Sequence, residues 1–330
     1  MRAAWYERQG PARDVLRVGE MPDPTPGPGE VRIRVAASGV NPGDVKKRQD
    51  AFGYGMPYPR VIPHSDGAGK IDRVGPGVPS DWLDRNVWCY GAQSYRPFGT
   101  AAELTVVPVG QVVPLPPGVS AEQGACLGIP GITAHRAVHA GGPVDGHSVL
   151  VQGGAGAVGQ CAVALARDAG ARVIATVRSE RDVEVARRAG AHHVEILKGV
   201  PLDEGCARVL AHAPRGVDHV VEVSFDQNVA IDERVLGVGG SIATYATVDP
   251  SPSIPFWPLL FKNATVYFLG SDDFSAEARS AAVAAIGGAL ERGWPGFEIA
   301  ERLPLESIAA AHARVEEGRP GRVVLTLGVS

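Results

Sequence analysis

The sequence predicts an α/β protein in two parts, a β-rich region followed by a doubly wound parallel sheet. Three observations carry this. Short alternating runs punctuated by proline and glycine fill the chain up to residue 125. From Ser148 onward, strand-like and helix-like runs alternate, the pattern of a parallel sheet covered on both faces. Between the two regimes an apolar run, Ser148-Val149-Leu150-Val151, meets a glycine cluster that opens directly into an alanine-rich helix.

The elements follow in order. Met1 to Arg8 has no apolar signal core and reads as a first strand. Pro22 to Gly29 carries four prolines and cannot join a ladder. Glu30 to Ala37 alternates polar and apolar residues, the period of a half-buried strand, and strand-like runs recur at 69–74 and 101–107. Helical character begins near Ala121 and runs from Glu122 to Val138. Then come strand 149–152, helix 157–169, strand 172–177, helix 180–189, strand 193–197 and helix 203–213. Strand 217–223, helix 227–236 and strand 240–246 complete the alternation, with Gly239-Gly240 as the turn before the last of these. A proline-rich excursion at 249–255 precedes strand 264–269, helix 276–292 and a closing strand at 322–327.

Composition excludes several classes. The net charge of −4 leaves no basic footprint for nucleic acid. No apolar run approaches the roughly 20 residues of a membrane span, so a cytoplasmic protein is expected. The four cysteines, Cys89, Cys126, Cys161 and Cys206, are far apart and suggest neither a zinc site nor a disulfide framework. Cys126 and Cys161 lie in apolar helix-like runs and read as small core residues. Five of the 32 basic residues are lysines, so an arginine needs positional support before it counts as a ligand.

Gly154, Gly156 and Gly159 stand in the spacing G-x-G-x-x-G. In a chain with 42 glycines the spacing alone is weak. Its context is specific: a strand precedes it, a helix follows, and a second strand, Arg172 to Val177, arrives at the βαβ distance. The first glycine allows a tight turn, the second lets a pyrophosphate approach the backbone, and the third lets helix and strand pack closely. The segment Gly154-Ala155-Gly156-Ala157-Val158-Gly159 is therefore predicted to seat the phosphates of a dinucleotide at a helix N-terminus.

Several further stretches carry a family resemblance. They are Gly39-Val40-Asn41-Pro42-Gly43-Asp44, Pro63 to Gly69, Gly99 to Glu103, Val112 to Ser120, Gly128 to Ala134 and the ending Gly321-Arg322-Val323-Val324-Leu325. In this order and at these intervals the chain resembles the zinc-free medium-chain dehydrogenases/reductases of the quinone oxidoreductase (zeta-crystallin-like) branch. The resemblance implies a GroES-like β-rich catalytic domain from residues 1–125 and 265–330, with a Rossmann domain at 126–264. It also implies a homodimer or homotetramer joined through Rossmann edge strands, for which strand 264–269 is the candidate. Zinc alcohol dehydrogenases of the same superfamily carry cysteine where Asn41 stands and histidine where Ser65 stands. Neutral amide and hydroxyl oxygens are poor substitutes for those ligands, so no metal is expected.

The resemblance makes Asn41 an amide that orients nicotinamide or substrate, and Thr133 a hydroxyl beside the nicotinamide. Asp44 is expected to hold its loop, and Glu222 to be a strand-end acid. Tyr54 and Tyr58, in a glycine- and proline-rich loop, either donate or orient at the substrate or simply pack. Lys47 stands where relatives often carry tyrosine, and His64 where they carry glycine.

The cofactor preference follows from the end of the second strand, which reads Thr176-Val177-Arg178-Ser179 rather than ending in the acid of NAD-preferring sites. Arg178 and Ser179 would attract a 2′-phosphate. Relatives often have lysine near Asp182, and Arg181 replaces it. NADPH is the expected cofactor. The expected activity is hydride transfer to a quinone. An enoyl or alkenal reductase is the alternative enzyme, and a low-turnover, crystallin-like NADPH-binding protein the alternative of another class.

Overall fold

A computed structural model describes residues 1–328. The chain forms two compact units, one from 1–129 with the returning 296–328, the other from 130–295.

The first unit begins with the antiparallel pair β1 (Arg2–Trp5) and β2 (Arg17–Glu20), around the short helix α1 (Ala12–Val15). Then follow β3 (Glu30–Gly39), helix α2 (Pro42–Gln49), β4 (Asp66–Val74), β5 (Asn86–Cys89), β6 (Leu104–Pro108) and β7 (Val112–Pro114). Helix α3 (Ala121–Val138) contains Pro130, and the division between the units falls there. Proline has no N–H to bond the preceding turn, so this is a natural joint.

The second unit alternates. Its elements are β8 (Ser148–Val151), α4 (Ala157–Asp168), β9 (Arg172–Val177), α5 (Glu180–Ala189), β10 (His193–Ile196), α6 (Leu202–His212), β11 (Val217–Glu222) and α7 (Phe225–Val235). β12 (Leu236–Thr244), α8 (Phe256–Phe261), β13 (Thr265–Phe268) and α9 (Ala276–Glu291) complete it. The six strands form one sheet in the order β10-β9-β8-β11-β12-β13, with every pairing parallel. The order reverses beside β8, and ligands of such sheets bind outside the carboxyl ends of the strands at that point. The core beneath is aliphatic, with Leu150, Ile174, Val220 and Ile242 fully buried.

The chain returns to the first unit as β14 (Ile299–Pro304), α10 (Ile308–Glu316) and β15 (Arg322–Thr326). The mixed sheet there runs β14-β15-β3-β4-β5-β7, with β6 also on β3.

Two expectations are corrected. The expected boundary placed 265–295 with the β-rich unit, but β13 pairs in register with β12 and α9 contacts α4, so this segment belongs to the second unit. The expected strand 240–246 instead begins at Leu236, because Gly237 to Gly240 form a bulge opposite the Val217–His219 step rather than a turn. Cys126 and Cys161 are buried and free, as expected. Among the described residues no helix is long and apolar enough to cross a membrane.

Candidate functional site

In the second unit β8 delivers the chain into the glycine loop at Gln152. A Cβ on Gly159 would lie 2.2 Å from the Gly153 carbonyl oxygen, and one on Gly154 2.7 Å from the Ala175 Cβ. Both positions therefore admit only glycine without movement. A Cβ on Gly156 would meet nothing nearer than the Gly153 oxygen at 3.2 Å, and Gly156 is exposed. Two glycines close the turn onto sheet and helix, and the middle one faces outward. The first-turn N–H groups of α4 have no partner within the helix. This cradle fits a pyrophosphate, which Gly154, Ala155, Gly156, Ala157, Val158 and Gly159 would hold.

Thr176 is placed differently from expectation. It is buried, its hydroxyl donates to Gln152 Oε1, and it accepts the Gly153 N–H at 3.2 Å. The side chain braces the loop from beneath instead of offering a ligand contact. Arg178 is exposed immediately beyond β9. Ser179 is the N-cap of α5, its Oγ accepting the Asp182 N–H at 3.4 Å, and Arg181 lies exposed in the first turn. Thr133 lies in α3 and is 5% exposed.

In the first unit, Asn41 precedes α2 in an N-P-x-D arrangement, with proline at the first helical position. Asp44 does hold this loop, accepting the Asn41 N–H at 2.8 Å. The Asn41 side chain is oriented at both ends: Nδ2 donates to Asp66 Oδ2 at 2.7 Å, and Oδ1 accepts from Arg322 Nη2 at 2.8 Å. Asp66 also accepts the Ile129 N–H at 2.9 Å. A Cβ at Gly128 would strike Asp66 Oδ1 at 2.1 Å, so glycine is required there for this approach. Burial pushes the Asp66 carboxyl up to about 7, with Asp44 adding to the rise and the Asn41, Ile129 and Arg322 contacts opposing it. Asn41 is itself buried, and its amide keeps one N–H uncommitted to these partners.

Behind this cluster runs a buried chain of hydrogen bonds whose direction can be assigned. Arg48, in α2, can only donate, and its Nε reaches His312 Nδ1 at 3.3 Å. His312 therefore carries its proton on Nε2 and donates to His64 Nε2 at 3.0 Å. His64 then donates from Nδ1 to Ser38 Oγ at 2.8 Å, Ser38 to Thr100 Oγ1 at 2.7 Å, and Thr100 to the Asp66 carbonyl at 2.6 Å. Arg48 also holds the Gly10 carbonyl and Glu316. His64 has φ +77, a left-handed backbone in which glycine is the ordinary residue. Its two ring bonds compensate the strain and commit both nitrogens. Burial, assisted by Arg322, pushes its pKa down to about 3.

These donors do not suit zinc. Asn41 Oδ1 faces a guanidinium, His64 has no free nitrogen, and no cluster of three ligating side chains exists among the described residues.

Of the loop tyrosines, Tyr58 donates its proton to the Tyr95 carbonyl at 2.5 Å and packs beside Tyr6, Val15 and Val61. That spends the proton a donor role needs, so the packing reading holds for Tyr58. Tyr54 is 86% exposed, 6.0 Å from the Phe52 ring. Lys47 lies half-buried in α2. Sequence reasoning missed Arg322 and Asp66 as partners of Asn41. Both lay within quoted motif stretches, but only the pairing of β15 and of β4 with β3 makes them neighbours of Asn41.

Residues 27–117 match the alcohol dehydrogenase GroES-like domain and residues 157–284 the zinc-binding dehydrogenase family. The mouse quinone oxidoreductase is 30% identical, over 98% of this chain and 96% of its own, and the rat protein 31% over the same shares. The chain belongs to the quinone oxidoreductase family. Such an oxidoreductase is also similar to solved structures. A mycobacterial protein complexed with NADPH superposes with a TM-score of 0.86 at 26% identity, covering 99% of this chain and all of the other. An NAD-dependent alcohol dehydrogenase gives 0.86 at 28% identity over the same shares.

Proposed function

We propose that this quinone oxidoreductase family member transfers a hydride from NADPH to a quinone without a metal ion. The observation that carries the reading is the pairing of an outward-facing Gly156 cradle with an exposed Arg178 where an NAD-preferring site has an acid. A similar mycobacterial structure holding NADPH supports it. Gly154 to Gly159 seat the pyrophosphate, and Arg178, Ser179 and Arg181 receive the 2′-phosphate. Asn41 and Thr133 are the proposed nicotinamide-side contacts. Tyr54, with its exposed phenol, is the loop side chain available to an acceptor.

Bound NADPH supplies the hydride, and a quinone is electrophilic enough to take it without a Lewis acid. The protein's task is then placement of two planar partners. A quinone takes its protons from water, so no dedicated acid is required. NADPH consumption is to be followed with a quinone and an α,β-unsaturated ketone side by side, with and without a chelator. Quinone-dependent, chelator-insensitive consumption is expected. Faster turnover of the enone would establish the alternative reductase. Binding without consumption would mark a crystallin-like protein, and zinc-restored activity after chelation would sink the metal-free reading.

A homodimer or homotetramer is proposed through β13, an edge strand whose outer side pairs with no strand among the described residues. Phe268 (73%), Phe261 (74%) and Trp257 (64%) are exposed in the same unit, more large aromatic surface than a monomer ordinarily shows. Sedimentation should give two or four chains per particle, and Phe268→Asp with Phe261→Asp should give one. A monomeric native protein would end this proposal. The four free, buried cysteines suit a cytoplasmic location.

A further inference from the structure

The buried face of α2 is polar. Together with its N-cap the helix turns Asn41, Asp44, Val45 and Arg48 inward, at the spacing i, i+3, i+4, i+7. In a surface helix that stripe ordinarily carries the apolar side chains that seat it on a core. Here Val45 is its one apolar member. Polar contacts therefore do most of the seating, and they act at both ends of the helix.

At the first end Asn41 Nδ2 donates to Asp66 Oδ2 at 2.7 Å. In the last turn Arg48 donates to the Gly10 carbonyl, to Glu316 and, at 3.3 Å, to His312 Nδ1. From His312 the bonds continue through His64 at 3.0 Å, Ser38 at 2.8 Å and Thr100 at 2.7 Å, and end on the Asp66 carbonyl at 2.6 Å. Both ends of α2 thus meet at one residue, Asp66, which takes the first on its carboxyl group and the last on its carbonyl.

Helix and bonds close a ring. It draws His312 from α10, Ser38 from β3, and His64 and Thr100 from the segments that enter β4 and β6. Arg48, His312, His64, Ser38, Thr100 and Asp66 are all 0% exposed. Arg48 can only donate and a carbonyl can only accept, so every group between them has one direction. Breaking any link leaves a buried donor or acceptor that water does not reach, which is costly.

We infer that His64 and His312 are positioning residues for Asn41: through Arg48 at one end of the ring and the Asp66 carbonyl at the other, they fix α2 and with it the direction of the Asn41 amide. The kinetic part rests on the function proposed above, in which Asn41 contacts the nicotinamide; the hold on the amide does not. Both rings act through Asn41.

The test reads both parts on the full chain. The protein has four asparagines, Asn41, Asn86, Asn228 and Asn263. Isotope-labelled asparagine therefore gives few side-chain amide signals by NMR, and that of Asn41 is assigned by its loss in Asn41→Ala. His312→Leu removes both ring bonds and should move the Asn41 signal toward that of a solvated amide. His312→Gln, whose amide can accept from Arg48 and donate to His64, should leave it in place. With NADPH and benzoquinone, His312→Leu should lower kcat about tenfold, with KM for NADPH unchanged because the glycine loop and Arg178 are untouched. In an Asn41→Ala background, His312→Leu should lower kcat no further, whereas a merely structural defect would still do so. Thr100→Val opens the ring at its last link and takes the place of His312→Leu should that variant fail to fold. The inference is overturned if the opened ring leaves the Asn41 signal in place, if His312→Gln moves it as far as His312→Leu, or if the kcat losses multiply in the double variant. A displaced Asn41 amide in a protein that consumes no NADPH would uphold the positioning role and refute the cofactor reading instead.

Discussion

Replacing Arg178 by glutamate is expected to weaken NADPH binding by about one to two orders of magnitude, with NADH binding changed little. Arg178 is exposed just past β9, where acids of NAD-preferring sheets accept from the ribose hydroxyls. A charge-assisted hydrogen bond to a 2′-phosphate contributes roughly 1.5–3 kcal/mol. Glutamate removes that bond and adds repulsion. It leaves the glycine loop untouched, because Gly153 is braced by the buried Thr176 and not by Arg178. Titration of both nucleotides against wild type and variant checks this. Equal losses for NADPH and NADH would show that Arg178 does not read the 2′-phosphate.

The second large effect is on acid stability. The His64 pKa is about 3 in the folded chain, against 6.5 for an ordinary histidine. Between those values the unfolded chain holds a proton that the native chain refuses, so stability falls as pH drops from 6.5 toward 3. Over the full window the loss is on the order of 5 kcal/mol. Asp66 runs the other way. Its carboxyl is raised from 3.8 to about 7, so the native chain holds the extra proton between those values, and stability falls there as pH rises. The two slopes oppose each other in wild type, and the difference from a variant separates them. His64→Asn tolerates the positive φ and cannot titrate. The stability advantage of wild type over His64→Asn, from urea unfolding at several pH values, should shrink by about 1.4 kcal/mol per unit below 6.5. Parallel curves would mean that His64 is not a neutral buried ring.

The glycine loop could be read from sequence because its reasons are local. Strand, turn and helix are contiguous, and the last glycine, Gly159, answers the Gly153 carbonyl a few residues away. The domain boundary was misread for the opposite reason. Nothing within 265–295 says which sheet it joins; that is decided by the pairing of β13 with β12 and the contact of α9 with α4. Thr176 was read as a ligand contact from its place at a strand end. Whether a hydroxyl there faces a ligand or the protein depends on Gln152, 24 residues earlier. Sequence leaves Tyr58 open between donor and packing, and the Tyr95 carbonyl that accepts its phenol proton lies 37 residues away.

By itself the sequence determined the alternation of strands and helices, the glycine loop between strand and helix, and the arginine that stands past the second strand where NAD-preferring sites carry an acid. These depend on periodicity and on neighbours within a turn or two. Only the tertiary structure decided that Asn41 is held between Asp66 and Arg322, that His64 and His312 are a directed neutral pair, and that Gln152 is fixed by the buried Asp232. Those partners are 25 and 281, 248, and 80 residues apart. A polar side chain at a given position acquires its charge and orientation from whatever folding buries beside it, and no local pattern carries that information.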